Sequence, residues 1–233
     1  MSIYIASFDI GKKNFAFVIE KINTELLENI QMIPKNQRFD SNNEATNSYN
    51  SLLNKVYKCG EIVLIKNKDL TNNNIDDKCV NPQLFINMTE YLDEYKEYWN
   101  KCSAFIIEKQ MSFRGKINVM ALKLGQHCYS YFSFNYRDFK CIIEFPAYHK
   151  TKVLGAPKKI TNKWKELWPK AKTFNKYYRK KWAILKAIDI LKYRGNHEEI
   201  LTQKKVKKDD MADCLLMCIT FSYLVFVDKS LKI

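Results

Sequence analysis

A chain of 233 residues with 46% hydrophobic and 14% aromatic residues can bury a substantial core, which excludes disorder throughout. Its formal charge of +14 points to a polyanionic partner, nucleic acid first and an anionic membrane surface second. Seven cysteines, an odd number with no Cys-x-x-Cys pair, give neither a disulfide framework nor a zinc signature, and His127, His149 and His197 stand in no metal-ligand spacing.

Residues 3–8 and 15–19 read as paired strands, and residues 61–67 as a third. Between them, residues 34–55 form a polar, Asn/Ser-rich stretch with the look of an insertion or mobile loop. Asn81 and Pro82 are good cap and first-turn residues for a helix whose apolar positions, Leu84, Phe85, Met88, Tyr91, Leu92, Tyr95, Tyr98 and Trp99, follow helical spacing. Residues 103–108 make a short apolar strand ending in an acid, residues 116–132 a helical stretch, and residues 140–147 a strand stopped by Pro146. A basic connection, residues 146–178, leads to a helix over 179–193. The last helix starts at Asp209 or Asp210 and is apolar nearly all round. With Asp213 inside it and a length marginal for a bilayer, a buried core helix is the better reading than a membrane span. Strands followed by alternating helices and strands imply one mixed sheet covered by helices, in a single domain over residues 1–233. The N-terminus shows no secretory pattern, which with the unpaired cysteines suggests a reducing, cytoplasmic setting.

The charge excess has an address. Residues 146–208 hold 19 Lys/Arg against 4 Asp/Glu, so the rest of the chain is close to neutral. Lysine-rich sequence is often only a solvated surface. This one interleaves Tyr148, Trp164, Trp168, Phe174, Tyr177, Tyr178 and Trp182, the composition of a basic groove with aromatic platforms for nucleic acid.

Acids stand at three edges of buried structure. Asp9 ends the first strand, Glu108 the fourth, and Asp210 with Asp213, three apart, share a face at the start of the last helix; Asp209 and Asp213, four apart, could do the same. Taken singly, Asp9 reads equally as a turn residue, Glu108 as an exposed strand end, and Asp209 or Asp210 as a helix cap. Asp213 is harder to dismiss, because an ionised carboxylate inside an apolar helix is costly unless paired or metal-bound. If the strands carrying Asp9 and Glu108 are adjacent and parallel, all these acids can meet. Such a cluster repels itself without cations, and hard oxygen donors without His or Cys favour Mg²⁺ or Mn²⁺. Two such ions about 4 Å apart suit phosphodiester hydrolysis.

The stretches "FDIGKKNFAFVIE", "FIIEKQMSFRGKINVMALKLGQ", "EFPAYHKTKVLG" and "KKDDMADCLLMCIT" resemble, in order, the motifs of RuvC-type Holliday junction resolvases, and most of all their poxvirus branch. The resemblance implies an α/β, RNase H-like fold with a mixed five-stranded sheet flanked by helices. It also implies a homodimer that makes paired nicks across four-way DNA with Mg²⁺ or Mn²⁺, two ions per site, and needs no small-molecule cofactor or membrane. Carried over by motif, Asp9, Glu108, Asp210 and Asp213 are the metal ligands. Lys152 and Lys181 are the lysines for the scissile phosphate, with Lys180 an alternative to Lys181. Further DNA contacts fall to Lys12, Lys13, Arg114, Lys150, Lys158 and Lys159. The branch's role, resolving concatemeric viral genomes in the host cytoplasm, is the expected setting. The competing readings are an RNase H-like nuclease for RNA–DNA hybrid or flaps, and a branched-DNA-binding protein without catalysis.

Overall fold

Side-chain alternation builds the sheet. In β1 (Ser2–Asp9), Ile5 faces one side while Ala6 and Phe8 face the other. In β2 (Phe15–Asn23), Phe15, Phe17 and Ile19 share the side of Phe8, and Ala16, Val18 and Ile22 share that of Ile5. A strand apolar on both faces must be covered on both, and the helices divide accordingly. The computed structural model describes residues 1–72, 81–110, 118–136, 140–195 and 207–232.

With β3 (Gly60–Lys68), β4 (Cys102–Lys109) and β5 (Cys141–Pro146), the sheet has the order β3-β2-β1-β4-β5. The β1–β2 and β2–β3 pairs are antiparallel, and β1–β4 and β4–β5 are parallel. This is the mixed five-stranded α/β sheet expected from the sequence.

After α1 (Thr24–Glu28), one face packs against α2 (Asn47–Lys58), α8 (Lys176–Tyr193) and α9 (Lys208–Ser222), which continues as a π-helical turn, Tyr223–Val227. The other packs against α3 (Pro82–Asp93), α4 (Lys96–Lys101) and α5 (Val119–Tyr136). Two short helices, α6 (Tyr148–Val153) and α7 (Asn162–Leu167), lie along the basic connection.

Buried polar bonds tie α9 to the central strands. The Ser7 hydroxyl donates to the Cys214 carbonyl at 2.7 Å, and the Cys218 thiol lies 3.1 Å from the Ser7 oxygen. The Cys214 thiol donates to the Ala16 carbonyl at 3.4 Å. Residues Lys208–Val227 are long and apolar enough to cross a membrane, but 83% of their most apolar window is buried inside the molecule. They form a core helix, and its N-terminal turn stands over the end of β1.

The fold departs from the sequence reading in two places. The single helix expected from Asn81 to Trp99 is broken at Tyr95, whose backbone (φ −115°, ψ 18°) leaves the helical region. The Trp99 indole donates to the Leu92 carbonyl at 2.7 Å, and its ring is fully buried against Phe8, Phe17, Phe105 and Phe132. Burying that ring favours the break. Within the polar stretch 34–55, helix α2 begins at Asn47, its N-cap Thr46 accepting from the Tyr49 amide.

Candidate active site

Parallel pairing of β1 with β4 sets Phe8 beside Ile107, so Asp9 and Glu108 leave the same sheet edge side by side. The β1–β2 turn is tight: a Cβ on Gly11 would lie 3.0 Å from the Asn14 carbonyl oxygen, so a side chain there would press on backbone. Helix α9 brings Asp210 and Asp213 to this edge, with Asp210 buried and the Asp213 side chain 23% exposed.

At the centre is a cation that the sequence reading did not place there. Lys150, on α6, is buried, and its Nζ lies 3.0 Å from Glu108 Oε1 and 3.0 Å from Asp213 Oδ1. A bridged ammonium inside protein is worth far more electrostatically than one in water. Burial works against its charge, but Asp213, Glu108 and Asp9 outweigh burial and push the Lys150 pKa above the usual lysine range. Burial also works upward on Glu108, yet Lys150 and a hydrogen bond from the Asp9 carboxyl hold Glu108 below the usual range. Asp9 goes the other way: burial first, then the charges of Glu108 and Asp213, raise it well above an ordinary carboxyl. Burial likewise raises Asp213, against the pull of Lys150.

Two further cations flank the cluster. Lys207 Nζ lies 2.7 Å from Asp210 Oδ2, although burial still raises the Asp210 pKa. Lys180, on α8, is ion-paired to Asp209. Burial lowers the Lys180 pKa, but the bond to Asp209 and the charges of Asp210 and Asp213 leave it raised.

The structure thus gathers Asp9, Glu108, Asp210 and Asp213, with Asp209 at the margin held by Lys180. One lysine falls in a different register from the one expected, and of the pair left open on α8 it is Lys180 that faces the acids. Lys150, not Lys152, enters the cluster, because α6 turns the two side chains apart and leaves Lys152 exposed along a groove. Lys180, not Lys181, faces the acids; Lys181 extends over the Tyr177 ring, 4.6 Å from its centroid. Lys12 and Lys13 lie in the β1–β2 turn, where the Lys12 carbonyl accepts from the Leu70 amide at 2.8 Å. Lys158 and Lys159 are exposed between α6 and α7. Arg114 and His197 lie outside the described residues. His127 is a structural group, 2.8 Å from the Thr89 hydroxyl.

Among the described residues, no three acidic, Cys or His side chains are gathered closely enough to hold an ion as they stand. The donor set nevertheless fits a hard divalent cation: it is all carboxylate oxygen, comes from three elements, and already draws a buried ammonium onto two of its members.

Comparison with known structures gives the fold. The yeast mitochondrial Holliday junction resolvase Ydc2 aligns over 97% of this chain and 86% of its own, at 13% identity and a TM-score of 0.51. Thermus thermophilus RuvC, in complex with Holliday junction substrate, aligns over 96% of this chain and 95% of its own, at 9% identity and a TM-score of 0.50. A fowlpox virus Holliday junction resolvase also aligns, over 98% of this chain and 100% of its own, at 17% identity and a TM-score of 0.47. The chain has the RuvC-type resolvase fold.

No protein-family model matches it. It is 33% identical over 252 aligned residues to the uncharacterized protein 170L of Invertebrate iridescent virus 6, covering 97% of this chain and 92% of that one. It is 31% identical to the uncharacterized protein 97L of Invertebrate iridescent virus 3, covering 91% and 96%. The chain belongs to the family of these iridescent virus proteins.

Proposed function

We propose that this protein is a structure-selective DNA endonuclease that resolves four-way junctions by metal-dependent phosphodiester hydrolysis. The observation that carries the reading is the convergence of Asp9, Glu108 and Asp213 on Lys150 at one sheet edge, with Asp210 beside them on α9 and paired to Lys207. The RuvC-type fold adds weight to this reading, since Ydc2 is a Holliday junction resolvase and RuvC binds a Holliday junction substrate.

Asp9, Glu108, Asp210 and Asp213 would hold Mg²⁺ or Mn²⁺, two ions in our reading. When bound, such ions supply an activated water and neutralise charge on the leaving oxygen. The chain's own groups do the rest. Lys150, shared between Glu108 and Asp213, offsets one of their two charges and so lessens the repulsion an incoming phosphate would meet. Lys180, held by Asp209, stands at the margin where a phosphate would approach. Lys12, Lys13, Lys152, Lys158, Lys159 and Lys181 are the further backbone contacts of this reading.

Two symmetric cuts require two active sites, so the working form is a homodimer. The relatives are virus proteins, and the role that fits is removal of branched intermediates from replicating viral genomes. The described cysteines are all free, which suits a reducing cytoplasm as the place of action.

The test is a cleavage panel with Mg²⁺, comparing an immobile four-way junction, a flap and an RNA–DNA hybrid. Preference for the junction is expected, and Asp213→Asn should bind it but not cut it. Preference for the hybrid would reassign the enzyme to RNA–DNA duplexes. Cutting unchanged by Asp213→Asn would remove the carboxylates from the mechanism.

A further inference from the structure

The elements that deliver lysines to the carboxylates also build a second feature. On α6, Lys150 enters the acidic cluster while Tyr148, Thr151 and Lys152 line a groove of about 470 Å³. On α8, Lys180 faces Asp209 while its neighbour Arg179 lines the same groove. Cluster and groove therefore share two walls, α6 and the start of α8.

The groove's chemistry is one-sided. Lys152, Lys158 and Arg179 line it, and among the described residues no acidic one does. Its aromatic parts are held in place. The Tyr148 ring, with the residue 51% exposed, lies 4.3 Å from the His149 ring at 36°, and His149 lies 5.0 Å from the core residue Phe145. Phe174 is backed by Trp168, which stacks on Trp164 at 4.8 Å and 19°. The floor is fixed as well. Asn43, in the left-handed region at φ 65°, donates its side-chain amide to the Ala156 carbonyl at 2.9 Å, and the Lys158 amide donates to the Asn42 carbonyl at 3.0 Å. An exposed ring braced from behind, beside three cations, is the arrangement that captures an unpaired base and its phosphate. The volume lies within the range of small-ligand sites.

We infer that this groove binds a single unpaired nucleotide next to the cut, its base stacked on Tyr148 and its phosphate on Lys152, Lys158 and Arg179. The inference rests on the nuclease reading and adds a site to it. A strand end offers such a nucleotide, and a base pair at a branch point, stacked on fewer neighbours, gives one up at less cost than a pair inside a continuous duplex, so the groove would contribute to selectivity for branched DNA.

The test uses the full-length protein and four-way junctions in EDTA, with one base at a time near the mapped cut replaced by an abasic site. Wild type should lose about tenfold in affinity at one position. Tyr148→Ala should bind the intact junction about tenfold more weakly and show no further loss at that position, while Tyr148→Phe should behave as wild type. A melting curve for each variant separates misfolding from lost stacking, and the Phe variant keeps the inference testable if the Ala variant fails to fold. An abasic loss of equal size in Tyr148→Ala would overturn the inference. So would a groove that acts on phosphate only, seen as a shallower salt dependence in Lys152→Ala with no abasic effect at any position. In a parallel reaction of the wild type with Mg²⁺, junctions cut normally without base sensitivity in binding sink this site alone; junctions bound but not cut sink the nuclease reading; junctions not bound sink both.

Discussion

Replacing Lys150 with Met should expose how the acidic cluster is held together. Met keeps most of the apolar stem, so the change removes charge with little loss of packing. The ammonium bridges Glu108 and Asp213 at 3.0 Å each, from a residue only 4% exposed. Breaking a buried pair typically costs about 3–5 kcal/mol, because the remaining charge is left without compensation. For a chain of 233 residues, at about 2–4 °C per kcal/mol, the melting temperature should fall by about 10 °C at pH 7.5 in EDTA. The pH dependence has a definite sign. Lys150 has a raised folded-state pKa, so its contribution is complete below the ordinary lysine value and is lost only as pH rises through the folded one. Across pH 5–8 the cation is therefore constant. The deficit should shrink toward pH 4.5 as the acids take up protons and no longer need it. Differential scanning fluorimetry from pH 4.5 to 8 measures this. A deficit below 2 °C at pH 7.5, or one that does not change with pH, would refute the reasoning.

Three further outcomes follow from the same geometry. Asp9 has a raised folded-state pKa, so its carboxylate costs stability increasingly as pH rises above the ordinary Asp value; Asp9→Asn should melt higher than wild type in EDTA at pH 7.5 and lose cleavage. Equal melting at pH 7.5 would count against repulsion at Asp9. Glu44 accepts from the Trp164 indole at 2.9 Å and the Thr161 hydroxyl at 3.2 Å, so Glu44→Ala should loosen the basic connection; faster tryptic cutting between residues 158 and 172 is expected, with a loss of about 1–3 kcal/mol. Gly155 has φ 72°, and a Cβ there would meet the Ala45 amide nitrogen at 3.0 Å, so Gly155→Ala should cost about 1–3 kcal/mol in a urea melt.

Of the acids, only Asp213 stood out from its surroundings, as a carboxylate inside an apolar helix; Asp9 and Glu108 each had an ordinary reading as strand ends, and it was the family resemblance that drew the four acids together. The lysines were not legible. Lys150 and Lys152 sit two apart after a strand, and only the short helix α6, which has no side-chain cap or strong periodicity, decides which turns inward. Lys180 and Lys181 pose the same problem of helical register on α8, settled by the packing of Trp182 and Ala183 into the core. Helix α2 shows a different failure. Tyr49, Leu52, Leu53, Val56 and Tyr57 have helical spacing and are all buried, but the Asn and Ser residues around them outweighed the pattern when read locally. Tertiary burial overrides such composition.

The most direct measurement is strand-by-strand mapping of cuts on an immobile four-way junction with Mg²⁺, wild type beside Asp213→Asn. Paired nicks placed symmetrically on opposing strands, absent from the variant while its junction binding persists, are the predicted result. Unpaired cuts at scattered positions, or cuts that survive in Asp213→Asn, would contradict the assignment of this sheet edge as the site of junction resolution.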